Sequence, residues 1–456
     1  MKNKKVVVAL KYYKGELNPF DGAALESALE VGFSDVTAVA MAPESVLPSL
    51  ASITRLGVNA VLISDPLFAG SDTVATSYIL AEVIRSLEPD LVFCGRQSID
   101  GDTAQVPPMI AERLGLSLTS KVVELMPDGR VKTRSGEITE LDSGRVVTFE
   151  RMRTLRFPSM FSKPREVRVM GNSELRLDSE KVGLKGSPTR VVKAYESTVG
   201  RRACKFIGKD ELSGVIADAL KKDKIEAFSD LGEKLDRIYY FGNIKSLAES
   251  IANSAISVDY AEKSVGEIAD YLKNENARAV LFEGNDRLKE LASRVAVRCG
   301  AGLCADCISF RVDGGKLVMT RPAGGGNITA DIISVSDMAF ATVKTAESQS
   351  ADVIFAVGKG GVFAIDKIRE MASGYNAELC GSRGVVDSGR LPYSAQVGLT
   401  GKSVAPLVYV AVGISGAVQH TVGISGARTV IAINNDKNAT IFDYADYGIV
   451  ADINEL

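Results

Sequence analysis

Short apolar runs alternate with amphipathic segments along most of this chain, and this alternation constrains the fold more than any other feature. In the first hundred residues the predicted strands are Lys5 to Leu10, Asp35 to Met41, Ala60 to Ile63 and Asp90 to Cys94. The segments with helical spacing are Phe20 to Val31, Pro43 to Leu56 and Thr73 to Leu87. Such an alternation is typical of a parallel sheet covered by helices. We therefore predict an α/β fold built of three-layer, parallel-sheet domains.

The same pattern returns after an interruption. From Leu118 to about Met170 the strands are short and alternate with polar residues, which is typical of antiparallel ribbons at a sheet edge. A charged helix is predicted from Lys209 to Lys224, and a shorter α/β segment begins near Asp236. A third segment contains the predicted strands Asp352 to Val357, Ala377 to Gly381, Leu407 to Val412 and Thr429 to Ile433. The predicted divisions are 1–190, 191–235 as an arm and linker, 236–350 and 351–456.

The composition argues against several classes of function. A net charge of −3 is unsuited to binding a nucleic-acid backbone. No segment reaches the roughly 18 uncharged apolar residues of a membrane span, and Met1 to Val6 leads directly into a strand, so we expect a cytoplasmic protein. Six cysteines are too few for a disulfide framework, and the pair Cys304 and Cys307 has no partner pair for zinc. We predict no metal site.

The only histidine, His420, follows the predicted strand Leu407 to Val412 and the glycine-containing turn Gly413 to Ala417. A turn of this kind between a strand and a helix exposes backbone N–H groups that bind phosphate. The alternative is a satisfied core histidine. The pentapeptide of the turn recurs at Gly423 to Ala427, either as a packing device or as a second phosphate-side turn.

Two other glycine-rich segments each match a known nucleotide-binding motif only in part. Gly358 to Gly361 follows a predicted strand, but Phe363 stands where G-x-G-x-x-G needs its third glycine. Gly398 to Lys402 is similar to the end of a phosphate loop, but Gln396 stands where that loop needs its first glycine. These departures argue against a standard nicotinamide site and against an ATPase.

Two ordered sets of segments resemble one known family. The C-terminal set resembles the FAD domain of the electron transfer flavoprotein α subunit: Ser382 to Asp387, Gln396 to Lys402, Gly413 to His420, Ala432 to Asp436 and Ala445 to Asp452. The N-terminal set resembles the β subunit: Asn18 to Asp21, Ala69 to Ser77, Gly95 to Val106 and Gly186 to Arg190. The chain thus resembles both subunits fused. The resemblance implies nucleotide-binding domains like those of adenine nucleotide α-hydrolases, a reduced α-subunit N-terminal domain and a Rossmann-like FAD domain at the C-terminal end.

The resemblance also implies the residues that bind FAD. His420 is similar to the family residue at the flavin C2=O, and Arg383 to the residue against the ring near N5, so both should favour reduced flavin, which gains negative charge. Thr400 resembles the hydroxyl that binds N5, whereas Leu399 replaces a glutamine common in the family. The other residues similar to FAD contacts are Ser382, Gln396, Gly398, Gly401, Ser415, Gly416, Ala417, Gln419, Asn434 and Asp452.

A second nucleotide is implied in the N-terminal half, either AMP, as in the ordinary members, or a second FAD, as in the electron-bifurcating members. The residues implied are Asp72, Thr73, Thr76, Ser77, Asp102, Thr103, Gln105 and Val106. Their sequence favours the bifurcating type, which uses NADH and ferredoxin or flavodoxin. Pro107 and the segment Leu10 to Asn18 depart from that type.

The segment Arg151 to Pro158 resembles the loop with which the family recognises its partners. Arg153, Leu155, Arg156 and Phe157 are therefore predicted to dock on an acyl-CoA dehydrogenase-type flavoprotein, with apolar anchors inside a basic rim. The function implied is that of an electron carrier. A nucleotide-binding regulatory or adenine-nucleotide-hydrolysing protein is the alternative, because a fold does not fix a function.

Overall fold

A computed structural model of the chain describes residues 2–196, 201–221, 233–323, 328–344, 351–398 and 401–455. Its contacts divide the chain into two compact units. The first consists of Met1–Val192, Leu231–Arg321 and Asp331–Val343, and the second of Lys193–Asp230, Pro322–Ala330 and Lys344–Leu456. Within the described ranges, no helix has the length and apolar content that crossing a membrane requires.

The first 196 residues form twelve strands and five α-helices within the described ranges. The strands are β1 Lys5–Leu10, β2 Tyr12–Tyr13, β3 Glu16–Leu17, β4 Asp35–Met41, β5 Asn59–Ile63, β6 Leu91–Gly95, β7 Ser117–Leu125, β8 Arg130–Thr133, β9 Ile138–Glu140, β10 Arg145–Phe149, β11 Arg168–Met170 and β12 Thr189–Glu196. The helices are α1 Pro19–Val31, α2 Leu47–Thr54, α3 Thr73–Ser86, α4 Val106–Leu114 and α5 Asn172–Leu175.

Nine of these strands form one sheet in the order β11-β5-β4-β1-β6-β10-β7-β8-β9. The antiparallel ribbon predicted after Leu118 is present only as β7, β8 and β9. The prediction was wrong for β10 and β11, because both pair in parallel within the sheet. Val146 and Val147 of β10 point to opposite faces and are both fully buried, as expected of an interior strand rather than an edge ribbon.

The part of the chain after β12, from β13 to β21, contributes to both units. β13 Lys205–Phe206 and α6 Leu212–Leu220 belong to the second unit, where β13 pairs with a later strand. The next strands are β14 Leu235–Phe241, β15 Ala252–Ser257, β16 Ala279–Glu283, β17 Gly302–Cys307, β18 Ser309–Asp313, β19 Lys316–Ala323, β20 Ile328–Ser334 and β21 Ala339–Val343. Their helices are α7 Lys245–Ile251, α8 Val265–Asn274 and α9 Asp286–Cys299. A parallel five-stranded sheet has the order β15-β14-β16-β21-β17.

The second unit is built around a parallel sheet of six strands in the order β13-β26-β25-β24-β22-β23. Its remaining strands are β22 Val353–Val357, β23 Glu378–Gly381, β24 Val408–Val412, β25 Thr429–Asn434 and β26 Tyr447–Val450. Its remaining helices are α10 Ile365–Ser373, α11 Arg383–Asp387 and α12 Val418–Thr421. Every residue of β22 and β24 is buried, because neighbouring elements cover both faces of the sheet.

The predicted elements agree closely with the observed ones where the apolar pattern is strong. Three helical predictions need correction. The predicted helix Pro43 to Leu56 is split, and α2 begins only at Leu47. The predicted helix Lys209 to Lys224 is α-helical from Leu212 to Leu220, and its last three residues lie outside the described ranges. The helix expected at His420 has only four residues.

The two copies of the repeated pentapeptide have different conformations. In the first copy, Gly413 and Gly416 are left-handed, with φ of 62° and 92°. A side chain on Gly416 would overlap the backbone of Ile441, so this position requires glycine. In the second copy the glycines are not left-handed, and Ile424 and Ala427 are buried in the core. The second copy is therefore a packing device, and only the first forms a turn at the sheet edge.

The repeated pentapeptide supplies a matched pair of variants. We expect Gly416→Ala to lower the free energy of unfolding by about 2 kcal/mol or more, because alanine is strained at positive φ and its methyl group meets backbone. Gly426→Ala should change it by less than about 1 kcal/mol, since its added carbon lies 3.0 Å from the Ala405 side chain and the backbone is not left-handed. Urea unfolding followed by circular dichroism measures both, and equal midpoints would contradict the difference.

Candidate functional site

The residues that resemble FAD contacts lie along the carboxyl edge of the six-stranded sheet. Ser382 and Arg383 follow β23, the turn Gly413 to Ala417 follows β24, Asn434 ends β25 and Asp452 follows β26. The chain runs from β22 outward to β23 and then returns to β24 on the other side of β22. In open parallel sheets, ligands bind outside the carboxyl ends of the strands at such a reversal. The site predicted from the sequence therefore coincides with the place that the topology favours.

Backbone contacts join the loops after β22 and β24 at this reversal. Gly358 N–H donates to the Val412 carbonyl at 2.8 Å, and Gly360 N–H donates to the Gly413 carbonyl at 3.1 Å. A side chain on Gly358 would overlap the backbone of Gly413. The segment Gly358 to Gly361, which lacks the nicotinamide fingerprint, thus fixes the neighbouring turn.

His420 is 6% exposed and lies at the end of this turn. Its Nε2 is 2.9 Å from the Tyr409 hydroxyl, and its Nδ1 has no hydrogen-bond partner in the described ranges. Burial lowers the pKa of His420 to about 4, and the nearby Val397 backbone offsets this only in part. The imidazole is therefore neutral near pH 7. In this environment His420 acts as a hydrogen-bonding group.

Val397 and Gly398 lie beside the histidine. Gln396 is 2% exposed, and its carbonyl accepts a hydrogen bond from Lys402 N–H at 2.8 Å. Gly398 lies directly against the backbone of Gln419 and His420, where an added side chain would collide. Leu399 and Thr400 lie outside the described residues, so the contact expected from Thr400 stays a prediction.

Arg383 lies on the exposed surface of α11. Its Nε is 3.1 Å from Asp387 Oδ2, and the two side chains are 48% and 56% exposed. An exposed pair of this kind contributes at most about 1 kcal/mol, so it would oppose a new contact of the guanidinium only weakly. Ser415, Ala417 and Gln419 are also exposed, at the same edge of the sheet.

A small cavity lies further along this edge, between the loops after β22, β25 and β26. Asn434 and Asp452 both line it, and so does Phe363. The Asn434 amide donates to the Ile414 carbonyl at 2.9 Å, so Asn434 also fixes the turn after β24. Phe363 is 63% exposed and offers an aromatic face. In the sequence Phe363 stands out only as a departure from G-x-G-x-x-G, and it was not predicted as a site residue.

A second cavity, of about 390 Å³, lies at the carboxyl edge of the nine-stranded sheet. Six of the residues predicted for the second nucleotide line it, namely Asp72, Thr73, Thr76, Thr103, Gln105 and Val106. The Asp72 carboxylate accepts from the N–H groups of Val74 and Ala75 and so caps α3. Ser77 and Asp102 do not line the cavity. The Ser77 hydroxyl donates to the Val74 carbonyl, and Asp102 accepts from Gln97.

Two buried polar residues of this cavity, Asn18 and Asp21, were not predicted as site residues. Asn18 is 2% exposed and its Oδ1 has no hydrogen-bond partner among the described residues. Asp21 accepts from Lys11 N–H at 2.7 Å and from Gly95 N–H at 2.9 Å, and burial raises its pKa to about 7. The signal was present, since Asn18 and Asp21 belong to a segment that carried the resemblance.

The segment predicted to dock on a partner has two kinds of residue. Arg153 and Arg156 form ion pairs with Glu30 and Glu26 of α1, with closest distances of 2.9 and 2.6 Å. Leu155 is half-buried and packs against the core of the nine-stranded sheet. Three other side chains project into solvent and are 96%, 91% and 93% exposed, namely Phe157, Met160 and Phe161. The structure thus places Leu155 inward, whereas Met160 and Phe161, which were not predicted as docking residues, project outward.

Among the described residues there is no group of three His, Cys, Asp or Glu side chains arranged to bind a metal ion. Cys304 and Cys307 are buried in β17.

Comparison with known proteins agrees with this organisation. The electron transfer flavoprotein domain family matches residues 5–146 and 252–362, and the electron transfer flavoprotein FAD-binding domain family matches residues 348–425. An electron transfer flavoprotein subunit alpha of Bacillus subtilis is 33% identical over 41% of this chain and 70% of its own length. A subunit beta of Thermoanaerobacterium thermosaccharolyticum is 35% identical over 42% of this chain and 80% of its own length.

A third relative, from Anaerotignum propionicum, is named acryloyl-CoA reductase electron transfer subunit beta. It is 31% identical over 41% of this chain and 71% of its own length. The first domain family alone matches more than half of the chain, and relatives of both subunit types match it. The chain belongs to the electron transfer flavoprotein family, with β-subunit-like and α-subunit-like parts fused in one polypeptide.

Proposed function

We propose that this protein holds one FAD at the carboxyl edge of the six-stranded sheet and carries electrons between a flavin dehydrogenase and an acceptor. The observation that carries the proposal is the buried imidazole of His420, whose Nδ1 has no partner in the described ranges, beside the left-handed turn after β24. A buried polar atom without a partner is costly, and a ligand at this edge would satisfy it.

The surrounding residues fit FAD. Because Gly416 has no side chain, its turn can pack closely against the backbone of Ile441. The first N–H groups of α12, which follows this turn, have no acceptor within the helix, and such groups suit a pyrophosphate. Phe363, Asn434 and Asp452 offer an aromatic face and polar groups to an adenosine end. When bound, FAD supplies one- and two-electron chemistry. His420 and Arg383 would supply hydrogen-bond donors and positive charge to it.

An acyl-CoA dehydrogenase-type donor is supported by the named relative that serves acryloyl-CoA reductase. The side chains of Phe157, Met160 and Phe161 support docking of such a partner, because these large apolar groups are each more than nine-tenths exposed among the described residues. The segment Arg151 to Arg168 carries six basic residues and one glutamate. A partner with an apolar pocket and an acidic rim would complement it.

The cavity at the nine-stranded sheet supports a second adenine nucleotide. Its volume of about 390 Å³ is near the lower end of ligand pockets, which span roughly 300 to 1,000 Å³. This size suits AMP, whereas a complete second FAD would extend beyond it. The sequence motifs favour the second FAD and hence NADH-dependent bifurcation with ferredoxin or flavodoxin, so the two ligands must be distinguished by experiment.

Release of the bound nucleotides by denaturation tests the cofactor assignment. We expect a yellow protein that releases one FAD and one AMP per chain, quantified by absorbance and chromatography. Two FAD and no AMP would contradict the AMP assignment and support a bifurcating carrier. A colourless protein that hydrolyses adenine nucleotides would contradict the carrier itself.

Docking is tested with two neighbouring side chains. Phe157→Ala should lower the second-order rate of electron transfer from an acyl-CoA dehydrogenase by about tenfold or more, because exposed aromatic anchors dominate binding. Leu155→Ala should mainly lower the free energy of unfolding, because Leu155 packs inward.

Ile138→Ala is the control for the docking test, because Ile138 is 48% exposed on the distant ribbon strand β9. Its transfer rate should equal that of the unaltered protein. Equal rates for Phe157→Ala and Ile138→Ala would rule out the exposed segment as the docking site.

A further inference from the structure

Tyr409 and His420 form a hydrogen-bonded polar pair inside the apolar core of the second unit. Tyr409 lies near the start of β24 and is fully buried, and its hydroxyl is 2.9 Å from His420 Nε2. The two rings are 6.1 Å apart at 54°. Their surroundings are mainly aliphatic, with Ile354, Val397 and Ala411 in the same core cluster. The hydrogen bond between them therefore matters more than it would at the surface.

The chemistry of the pair determines which atom donates. Burial raises the pKa of Tyr409 well above its ordinary value, so its hydroxyl keeps its proton. That O–H has no other hydrogen-bond acceptor in the described part of the chain. If Nε2 carried the imidazole proton, the ring would donate to the Tyr409 oxygen, and the phenolic proton would be left buried without an acceptor. Donation from Tyr409 to Nε2 avoids this cost.

A neutral imidazole carries one proton, so acceptance at Nε2 puts that proton on Nδ1. Nδ1 makes no hydrogen bond of ordinary geometry in the described ranges, although the nearby Val397 backbone acts on the ring. We infer that Tyr409 is a positioning residue that fixes His420 as an Nδ1–H donor facing the flavin site, where it would bind a carbonyl oxygen of the isoalloxazine ring. The second half of this inference rests on the proposed function, and the first half does not.

The single histidine makes the inference directly measurable. Labelling histidine with ¹⁵N gives the spectrum of one imidazole, because the chain has no other. In the purified holoprotein at pH 7 we expect the one-bond proton coupling on Nδ1, with Nε2 as an acceptor. A proton on Nε2 in the unaltered protein would overturn the inference without any variant.

Tyr409→Phe removes the hydroxyl and keeps the ring. We expect the ratio of Nδ1–H to Nε2–H imidazole to fall by about fivefold, as loss of one hydrogen bond predicts, while the circular dichroism spectrum is retained. Tyr239→Phe is the matched control, because Tyr239 is also a buried strand residue whose hydroxyl donates, to Glu275 at 3.1 Å in the other unit. An unchanged tautomer ratio in Tyr409→Phe would contradict the positioning role.

The midpoint potential of the bound flavin tests the contact of Nδ1–H with the flavin separately from the tautomer set by Tyr409. If Nδ1–H faces the ring, Tyr409→Phe should lower this potential relative to the unaltered protein, and Tyr239→Phe should leave it unchanged. A changed tautomer with an unchanged potential would place the flavin away from Nδ1. That result would remove the proposed role of His420 and leave the positioning by Tyr409 intact.

Discussion

Close approach of backbone to backbone at the carboxyl ends of β22 and β24 is the constraint on which the second unit depends. Gly358 and Gly413 lack side chains where the two loops touch, and two hydrogen bonds join these loops. Because β22 and β24 are adjacent at the point where the strand order reverses, this contact fixes the turn that leads to His420. A larger side chain at either glycine would separate the loops and move the histidine.

Burial decides the electrostatic character of the site. Coulomb's law favours a cation beside a ring that gains negative charge, but an imidazolium with no anion beside it is poorly solvated in an apolar core. Desolvation is the larger effect, so His420 is neutral and contributes through a hydrogen bond. The exposed guanidinium of Arg383 lies at the same edge, and its weak, solvent-exposed pair with Asp387 would leave it available to bring positive charge to a ligand.

The exposed segment after β10 shows how tertiary contacts redistribute similar residues. Three arginines and two apolar residues look equivalent in the sequence, yet Glu26 and Glu30 of α1 bind two of the arginines. These pairs anchor the segment to α1 while Leu155 packs beneath it. The apolar side chains that remain available are therefore further along the chain, at Phe157, Met160 and Phe161.

The sequence by itself determined the alternation of strands and helices, most of their bounds, and the carboxyl edge at which the candidate FAD residues gather. These features follow from local apolar periodicity and from the rule that parallel strands end at one edge. It could not determine that β10 is an interior strand, because this depends on pairing with β6 and β7. Nor could it determine that Ser77 and Asp102 do not line the cavity, because their side chains bond to neighbouring residues instead.

The repeated pentapeptide shows this limit most clearly. Gly413 to Ala417 and Gly423 to Ala427 have the same sequence, but only the first has left-handed glycines and forms a turn at the sheet edge. The tertiary structure alone decided which copy serves the site. The physical reason is that glycine permits both conformations, so the neighbouring backbones of Ile441 and Gly398 select between them.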